Sequence, residues 1–332
     1  MNTLYTLRFR ALDTWFFRES RPMEAIGGAE LASLFPPPPR TLLGAIRTTI
    51  GDAQGVDWQQ YASDNHHPLR QTIGTPQDPS PLKMDGPWLS LDGERLYPAP
   101  LLLTVKEDAQ GQPYSRLEIG PASRTHLGAR TEASRPVATR LPSLPAGHAG
   151  YKPAEDLWLT AAELGAVLKG GVPSADKRPR LFQPEARLGI ARDNAKRVAQ
   201  TGMLYQTRHI RPVPGLAVEA DIPLATPLAA RLARFGGEGR LAHIECVAHT
   251  EPPDASGLAP LKPEPSTKGL VLILLTAARF VREGQPHWLP KEFEPDTSNG
   301  PQVWQGSIRG VPLTLHAAIL GQHPQRRHVP RP

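Results

Sequence analysis

Residues Leu4 to Ala11 alternate, with Tyr5, Leu7, Phe9 and Ala11 on one face and Thr6, Arg8 and Arg10 on the other. A period of two predicts a half-buried strand. The pattern breaks at an aromatic strand end, Trp15-Phe16-Phe17, and at a loop carrying Arg18, Arg21 and Gly27-Gly28. Pro36 to Pro39 follow. Each proline fixes φ and lacks an N–H, so the run reads as a stiff extended arm barred from a sheet interior. From about Thr41 to Ile50 the spacing of Leu42, Leu43, Ile46 and Ile50 becomes helical, and Gly51 is expected as a left-handed C-cap.

Further along, residues 52–87 are polar and rich in turns, with His66-His67 in a solvated loop. Trp88 to Leu91 and Tyr97 to Val105 read as short strands. Residues 106–150 carry Arg116, Arg124, Arg130, Arg135 and Arg140 without apolar periodicity, which predicts an exposed flap or hairpin. Thr160 and Glu163 form a capping-box signature for a helix with Leu164, Val167 and Leu168 inside and Gly170-Gly171 at its end.

The second half opens with the strand Arg187 to Ile190 and a polar loop holding Arg192, Lys196 and Arg197. Met203 to Ile210 and Leu216 to Ile222 predict a hairpin about the Pro212–Gly215 turn. Thr226-Pro227 is the expected start of a helix with Leu228, Leu232 and Phe235 as its apolar stripe. Gly236, Gly237, Gly239 and Arg240 then lead into the strand Leu241 to Ala248, where the single cysteine, Cys246, is expected in the core. This order is compatible with a ferredoxin-like βαββαβ unit, and the glycine cluster would let backbone amides approach a sugar-phosphate chain closely. Residues 269–276, GLVLILLT, read as a fully buried strand, and Leu313 to Leu320 as a last apolar one.

Composition narrows the field. A chain of 332 residues implies about two domains. No apolar run is long enough to span a membrane, the start does not read as a signal peptide, and one cysteine forms no disulfide framework; a cytoplasmic protein is expected. Net charge is +6, and 29 of the 38 basic residues are arginine, the side chain suited to bidentate phosphate contacts. Arg40 and Arg47 lie seven apart, about two turns, so both can project from one side of the first helix. Arg18 and Arg21 sit in the loop facing that helix's N-terminus, a favourable place for a phosphate, although this stretch alone favours a proline-rich loop with solvated arginines.

LDTWFFRESRP with SLFPPPPRTLLGAIRT, then PEARLGIARDNAKRVAQTGMLY, then GGEGR, resemble the Cmr-type RAMP subunit of type III-B CRISPR effector complexes, in order from about residue 4 to about residue 320. The resemblance implies an α+β fold of two ferredoxin-like (RRM-like) RAMP domains with loop-rich insertions. They would occupy 1–171, with the basic insertion at about 106–150, and 172–332, with the glycine-rich loop and a basic tail. It implies a non-catalytic subunit that binds the 5′ tag of the CRISPR RNA. Its partners would be the large polymerase-like subunit and an adjacent backbone RAMP subunit, with target RNA near. Matched residue by residue, the RNA-binding set is Arg18, Arg21, Arg40, Arg47, Arg187, Arg192, Arg197, Gly236, Gly237, Gly239 and Arg240. The family's Gly-Trp-Asp motif and VPAGS-like terminal strand have no counterpart here, so the last strand of the second domain is expected to be either missing or supplied by a neighbouring subunit.

The rival expectation is a RAMP endoribonuclease. Cleavage needs a general base at a 2′-hydroxyl and cations at the phosphorane, and His126 and His209, the latter beside Arg208 and Arg211, are the candidates among 11 histidines. No H-x-E, D-x-D or H-E-x-x-H pattern occurs, and Asp13 lacks an obvious carboxylate partner, so neither metal nor cofactor is expected. Trp15, Phe16, Phe17 and Phe35 are candidate base stackers; aromatics at a strand end usually join the core, so one at most is expected to serve.

Overall fold

The computed structural model describes residues 3–19, 30–75, 77–78, 81–106, 112–125, 137–175, 178, 180–193, 198–249, 269, 271–276, 278, 280–298, 300–308 and 310–320. The first elements are β1 (Thr3–Ala11), β2 (Glu30–Ala32), α1 (Pro39–Ala53), α2 (Trp58–Ser63), α3 (Arg70–Ile73), β3 (Asp85–Leu91) and β4 (Glu94–Pro98). Next come β5 (Leu103–Val105), β6 (Tyr114–Arg116), β7 (Glu118–Thr125), β8 (Val137–Ser143), β9 (Lys152–Pro153), β10 (Trp158–Leu159) and α4 (Ala161–Leu168). After these lie β11 (Phe182–Asp193), β12 (Val198–Pro212), β13 (Leu216–Leu224), β14 (Arg231–Arg234) and β15 (Leu241–Ala248). The chain closes with β16 (Phe280–Arg282), β17 (Gln285–His287), β18 (Glu294–Asp296), β19 (Val303–Ile308) and β20 (Val311–Leu315). The class is α+β, with mostly antiparallel sheets and few helices.

The chain forms two compact units, one from residues 1–96, 178–255 and 324–332, the other from 97–177 and 256–323. They interleave, where a sequential reading divides the chain at 171/172. In the first unit the sheet order is β4-β3-β13-β1-β15-β14, and a second sheet has the order β11-β12-β2. β1 lies between β13 and β15, with Leu7 opposite Ala220 and Cys246. Leu7, Phe9, Val218, Ala220, Ile222, Leu89 and Ile244 are buried, as the alternation of β1 requires. Cys246 itself is only half-buried.

The other sheet positions of β1 and β13 hold a charged network. Glu219 accepts hydrogen bonds from Arg8 Nε at 2.8 Å, Ser90 Oγ at 2.7 Å and Arg95 Nη2 at 3.3 Å. Asp221 accepts from Thr6 Oγ1 at 2.6 Å and from both Arg95 Nη atoms at 2.8 and 2.9 Å. Each buried carboxylate thus meets several donors, and for Asp221 burial is outweighed by the Arg95 and Thr6 hydrogen bonds, which hold the carboxyl below its ordinary range.

In the second unit, Tyr97 and Pro98 pair with Leu159 and Trp158 of β10. β5 pairs with β6 and β9, and β7 with β8. The expected capping box is present, with Thr160 Oγ1 accepting from Glu163 N at 3.3 Å and Glu163 Oε2 accepting from Thr160 N at 2.9 Å. The basic insertion is a β7–β8 hairpin as far as it is described, and residues 126–136 lie outside that range. Arg116 is not on its exposed face, because its guanidinium donates to Val167 O at 3.0 Å.

Four expectations change. α1 runs through Gly51, where a Cβ would meet the Trp58 ring at 2.5 Å, so this glycine permits α2 to pack closely. The helix ends at Ala53, and Gly55, with φ +66°, takes the left-handed position. Residues 228–235 are not helical. β14 pairs with β15 across the glycine turn, and Phe235 enters the aromatic cluster of Phe9, Trp15 and Phe17, so tertiary burial overrides the helical spacing. β12 and β13 flank the expected turn but enter different sheets. The described residues of 269–276 form no strand, with Val271, Leu272 and Leu274 exposed; β20 is the apolar strand that follows.

Candidate functional site

β11 and β12 form a long antiparallel pair in which Gln183 faces Arg211, Glu185 faces His209, Arg187 faces Thr207 and Gly189 faces Tyr205. Strand alternation puts these eight residues on one face. The loop after β1 is fastened over it by Trp15 N to Ile210 O at 2.9 Å and Ile210 N to Trp15 O at 2.8 Å. Asp13 is thereby held above the hairpin, and three guanidinium groups converge on it. Its Oδ2 accepts from Arg187 Nη2 at 2.7 Å and Arg240 Nη1 at 3.2 Å, and its Oδ1 from Arg211 Nη2 at 2.9 Å. Glu185 bridges the first and last strand arginines, accepting from Arg187 Nε at 2.8 Å and from Arg211 Nε.

Arg240 arrives from the other sheet through the glycine turn. Phe235 N donates to Arg240 O at 2.8 Å, and Gly237 N to Phe16 O at 2.7 Å. A Cβ at Gly236, whose φ is +98°, would lie 2.6 Å from Phe16 O, and one at Gly237 would lie 3.1 Å from Phe16 Cδ1. Both glycines therefore seat the loop on Phe16, whereas Gly239, at φ +66°, has open space around it. Gly239→Ala is expected to cost about 1 kcal/mol of left-handed strain. Gly236→Ala adds a clash with a backbone oxygen and should cost roughly 3 kcal/mol. Urea unfolding measures the difference, and coincident midpoints for the two variants would contradict this geometry.

Beneath the arginines lies His209, fully buried. Its ring stacks on Phe16 at 4.9 Å and 12°. Nδ1 is 3.0 Å from Thr14 Oγ1, and Nε2 is 3.1 Å from Thr207 Oγ1 and 3.2 Å from Glu238 Oε2. Burial, together with the Arg240 and Arg187 charges, holds its pKa below the ordinary 6.5 despite the Glu238 carboxylate. A sealed, neutral imidazole satisfied on both nitrogens is a structural group, which removes one of the two general-base candidates. His126 lies outside the described residues.

Partial burial pushes the Asp13 carboxyl up, but the hydrogen bonds and charges of Arg187 and Arg211 outweigh it and hold it below the usual range. Glu185 is lowered chiefly by its bond to Arg211. Both acids are thus anionic at neutral pH, leaving three guanidinium charges against two carboxylates. Asp13 and Arg211 are 47% and 45% exposed, so water screens this pair strongly. Guanidinium forks of this kind match the oxygens of a phosphate as well as those of a carboxylate.

Of the expected site residues, the structure joins Arg187 and Arg240 and adds Arg211, which the motif reading paired only with His209. Its signal was available, because Glu185, Arg187, His209 and Arg211 share one parity in adjacent strands. Arg40 is exposed in the first turn of α1, which carries no acidic residue. Arg18 is exposed beside an isolated bridge to Ser33. Arg47 turns inward, its Nη2 donating to Gly74 O at 2.8 Å, so it ties α1 to the end of α3 instead of projecting beside Arg40. Arg192 lies in β11, and Arg21 and Arg197 fall outside the described residues. Trp15, Phe16 and Phe17 are buried and Phe35 packs against Phe182 at 4.8 Å, so these aromatics serve the core. Among the described residues no cluster of three or more His, Cys, Asp or Glu could hold a metal, and no helix is long and apolar enough to cross a membrane.

Solved structures similar to this chain include a type III-B Cmr-beta complex bound to cognate target RNA and AMPPnP (13% identity, TM-score 0.39) and one bound to cognate target RNA alone (14%, 0.38). In both, the match covers 74% of this chain and 64% of the matched chain. An apo Cmr-beta structure matches at 10% identity and TM-score 0.29. Among curated proteins none matches. The family model for the CRISPR-associated protein Cas_Cmr3 matches residues 7–326, nearly the whole sequence. Because that match spans nearly the whole sequence, the chain belongs to the Cas_Cmr3 family of CRISPR-associated proteins.

Proposed function

We propose that this chain is a non-catalytic RNA-binding subunit of a type III-B CRISPR effector ribonucleoprotein, and that the β11–β12 face holds the 5′ tag of the CRISPR RNA. The carrying observation is the convergence of Arg187, Arg211 and Arg240 on one solvent-open oxyanion position. Phosphates of the tag would replace Asp13 there, with Arg18 and Arg40 extending the track along the first unit. Arg47, committed to Gly74, takes no part. The docking partners in the same reading are the large polymerase-like subunit and an adjacent backbone subunit, on a scaffold of two ferredoxin-like domains. It rests on family membership and on the motifs, and the similar structures are themselves Cmr-beta complexes. Cleavage is disfavoured because His209, the described candidate base, is shut away from any 2′-hydroxyl.

The test is a filter-binding titration of a tagged CRISPR RNA against one with a scrambled tag, followed by a gel of the recovered RNA. Tighter binding of the true tag with intact RNA is expected. Arg211→Ala and Arg240→Ala should each weaken binding and reduce the salt slope by about 0.7 per lost phosphate contact. A cut product would move the protein to the nuclease class, and unchanged slopes in both variants would remove the arginine site.

A further inference from the structure

On the same hairpin face, one register step beyond Arg187, Gly189 faces Tyr205. The Tyr205 ring lies directly on that glycine: a Cβ at Gly189 would be 2.1 Å from the ring's Cζ and 2.4 Å from Cε2. No side chain other than glycine's leaves room for it. The ring is half-buried, and among the described residues it makes no hydrogen bond and no contact with another ring. This contrasts with Trp15, Phe16 and Phe17, which are buried in aromatic contacts. It is also unlike Tyr61, whose hydroxyl donates to Gly74 O.

A tyrosine laid flat on a sheet, with one face backed by glycine backbone and no polar partner, is a rigid π surface. Because strand alternation points it to the same side as Arg187 and Arg211, a chain whose phosphate sits at the arginines would bring the adjoining base over Tyr205. Successive nucleotides of a single strand offer that combination of phosphate and π face, and aromatic stacking tolerates any base. We propose that Tyr205 is the stacking platform for one nucleobase of the single-stranded RNA bound at the arginine face, and that Gly189 exists at its position to seat the ring. The inference rests on the RNA-binding reading above and assigns that site a base contact.

The experiment measures binding of the tagged RNA to the full chain carrying Tyr205→Phe, Tyr205→Leu or Tyr205→Ala, with Arg187→Ala in parallel. Phenylalanine keeps the π face and should bind as wild type. Leucine still covers Gly189 but has no π face. It and alanine should weaken binding by roughly five- to a hundred-fold with the salt slope unchanged. Replacing single tag bases with 2-aminopurine adds an independent readout: one position should be quenched by wild type and by Tyr205→Phe and released in Tyr205→Leu. Leucine binding as tightly as phenylalanine, while Arg187→Ala lowers the salt slope, would overturn the platform and leave the arginine site standing. Absence of salt-sensitive RNA binding by the wild-type chain would overturn both.

Discussion

Replacing Arg95 with methionine is expected to destabilise the first unit by roughly 3 kcal/mol, near the lower end of what breaking a buried ion pair costs. Arg95 is 14% exposed and serves both Glu219, at 3%, and Asp221, at 7%. Methionine preserves most of the side chain's volume while removing three hydrogen bonds to carboxylates that cannot reach water. Arg8 still compensates Glu219, which keeps the loss below the upper end of the range. Burial pulls the Asp221 carboxyl up, but the Arg95 hydrogen bonds, the Thr6 hydroxyl and the Arg95 charge together hold it below the ordinary 3.8. A depressed carboxyl adds stability that is complete above 3.8 and is lost as pH falls through the lower folded value. The gap between wild type and Arg95→Met should therefore be widest near neutral pH and narrow below about pH 4. Urea unfolding at pH 7 and pH 3.5 measures it, and a constant gap at both would mean that the network adds no pH-linked stability.

The second large effect is expected at Phe235→Ala, at roughly 3–5 kcal/mol, the range for emptying a buried aromatic position. Phe235 is fully buried, with ring centroids 4.7 Å from Phe9, 4.9 Å from Phe17 and 5.9 Å from Trp15. It also starts the turn that delivers Arg240, through the 2.8 Å bond from its N–H to Arg240 O. Loss of stability and loss of RNA affinity should appear together in this variant. Phe235→Leu should recover most of both, because it refills much of the cavity. A Phe235→Ala protein with an unfolding midpoint within error of wild type would show that the cluster is not a core.

The sequence made some of this legible and hid the rest for identifiable reasons. The alternation of β1 gave its buried face correctly, and the Thr160–Glu163 box gave the start of α4, because both patterns are set by nearest neighbours along the chain. The helix expected at 228–235 failed because Phe235 is drawn into a cluster built by residues more than 200 positions earlier, a force no local period records. Of the three arginines that meet at Asp13, Arg187 and Arg240 stood in the motifs. Arg211 was visible only through its cross-strand phase with Glu185, and the role of Asp13 in gathering them needs the folded loop over β12. Tyr205 sat at the end of a quoted motif, yet its meaning depends on facing a glycine across the ladder.

The placement of β1 between β13 and β15 also constrains the order of events during synthesis. A ribosome adding about 5–20 residues per second needs on the order of ten to fifty seconds to pass from Ala11 to Ala248. Leu7 and Phe9 lack both flanking strands until β13 has emerged at about residue 224, and lack β15 until residue 248. Residues 97–177 emerge complete while the earlier strand still waits. The nascent chain thus carries an exposed apolar edge until its second half leaves the exit tunnel, and a product stopped near residue 171 would retain that edge permanently. Such a fragment is destined for chaperones or aggregation, and expression of this protein in pieces should be planned around its long-range pairings.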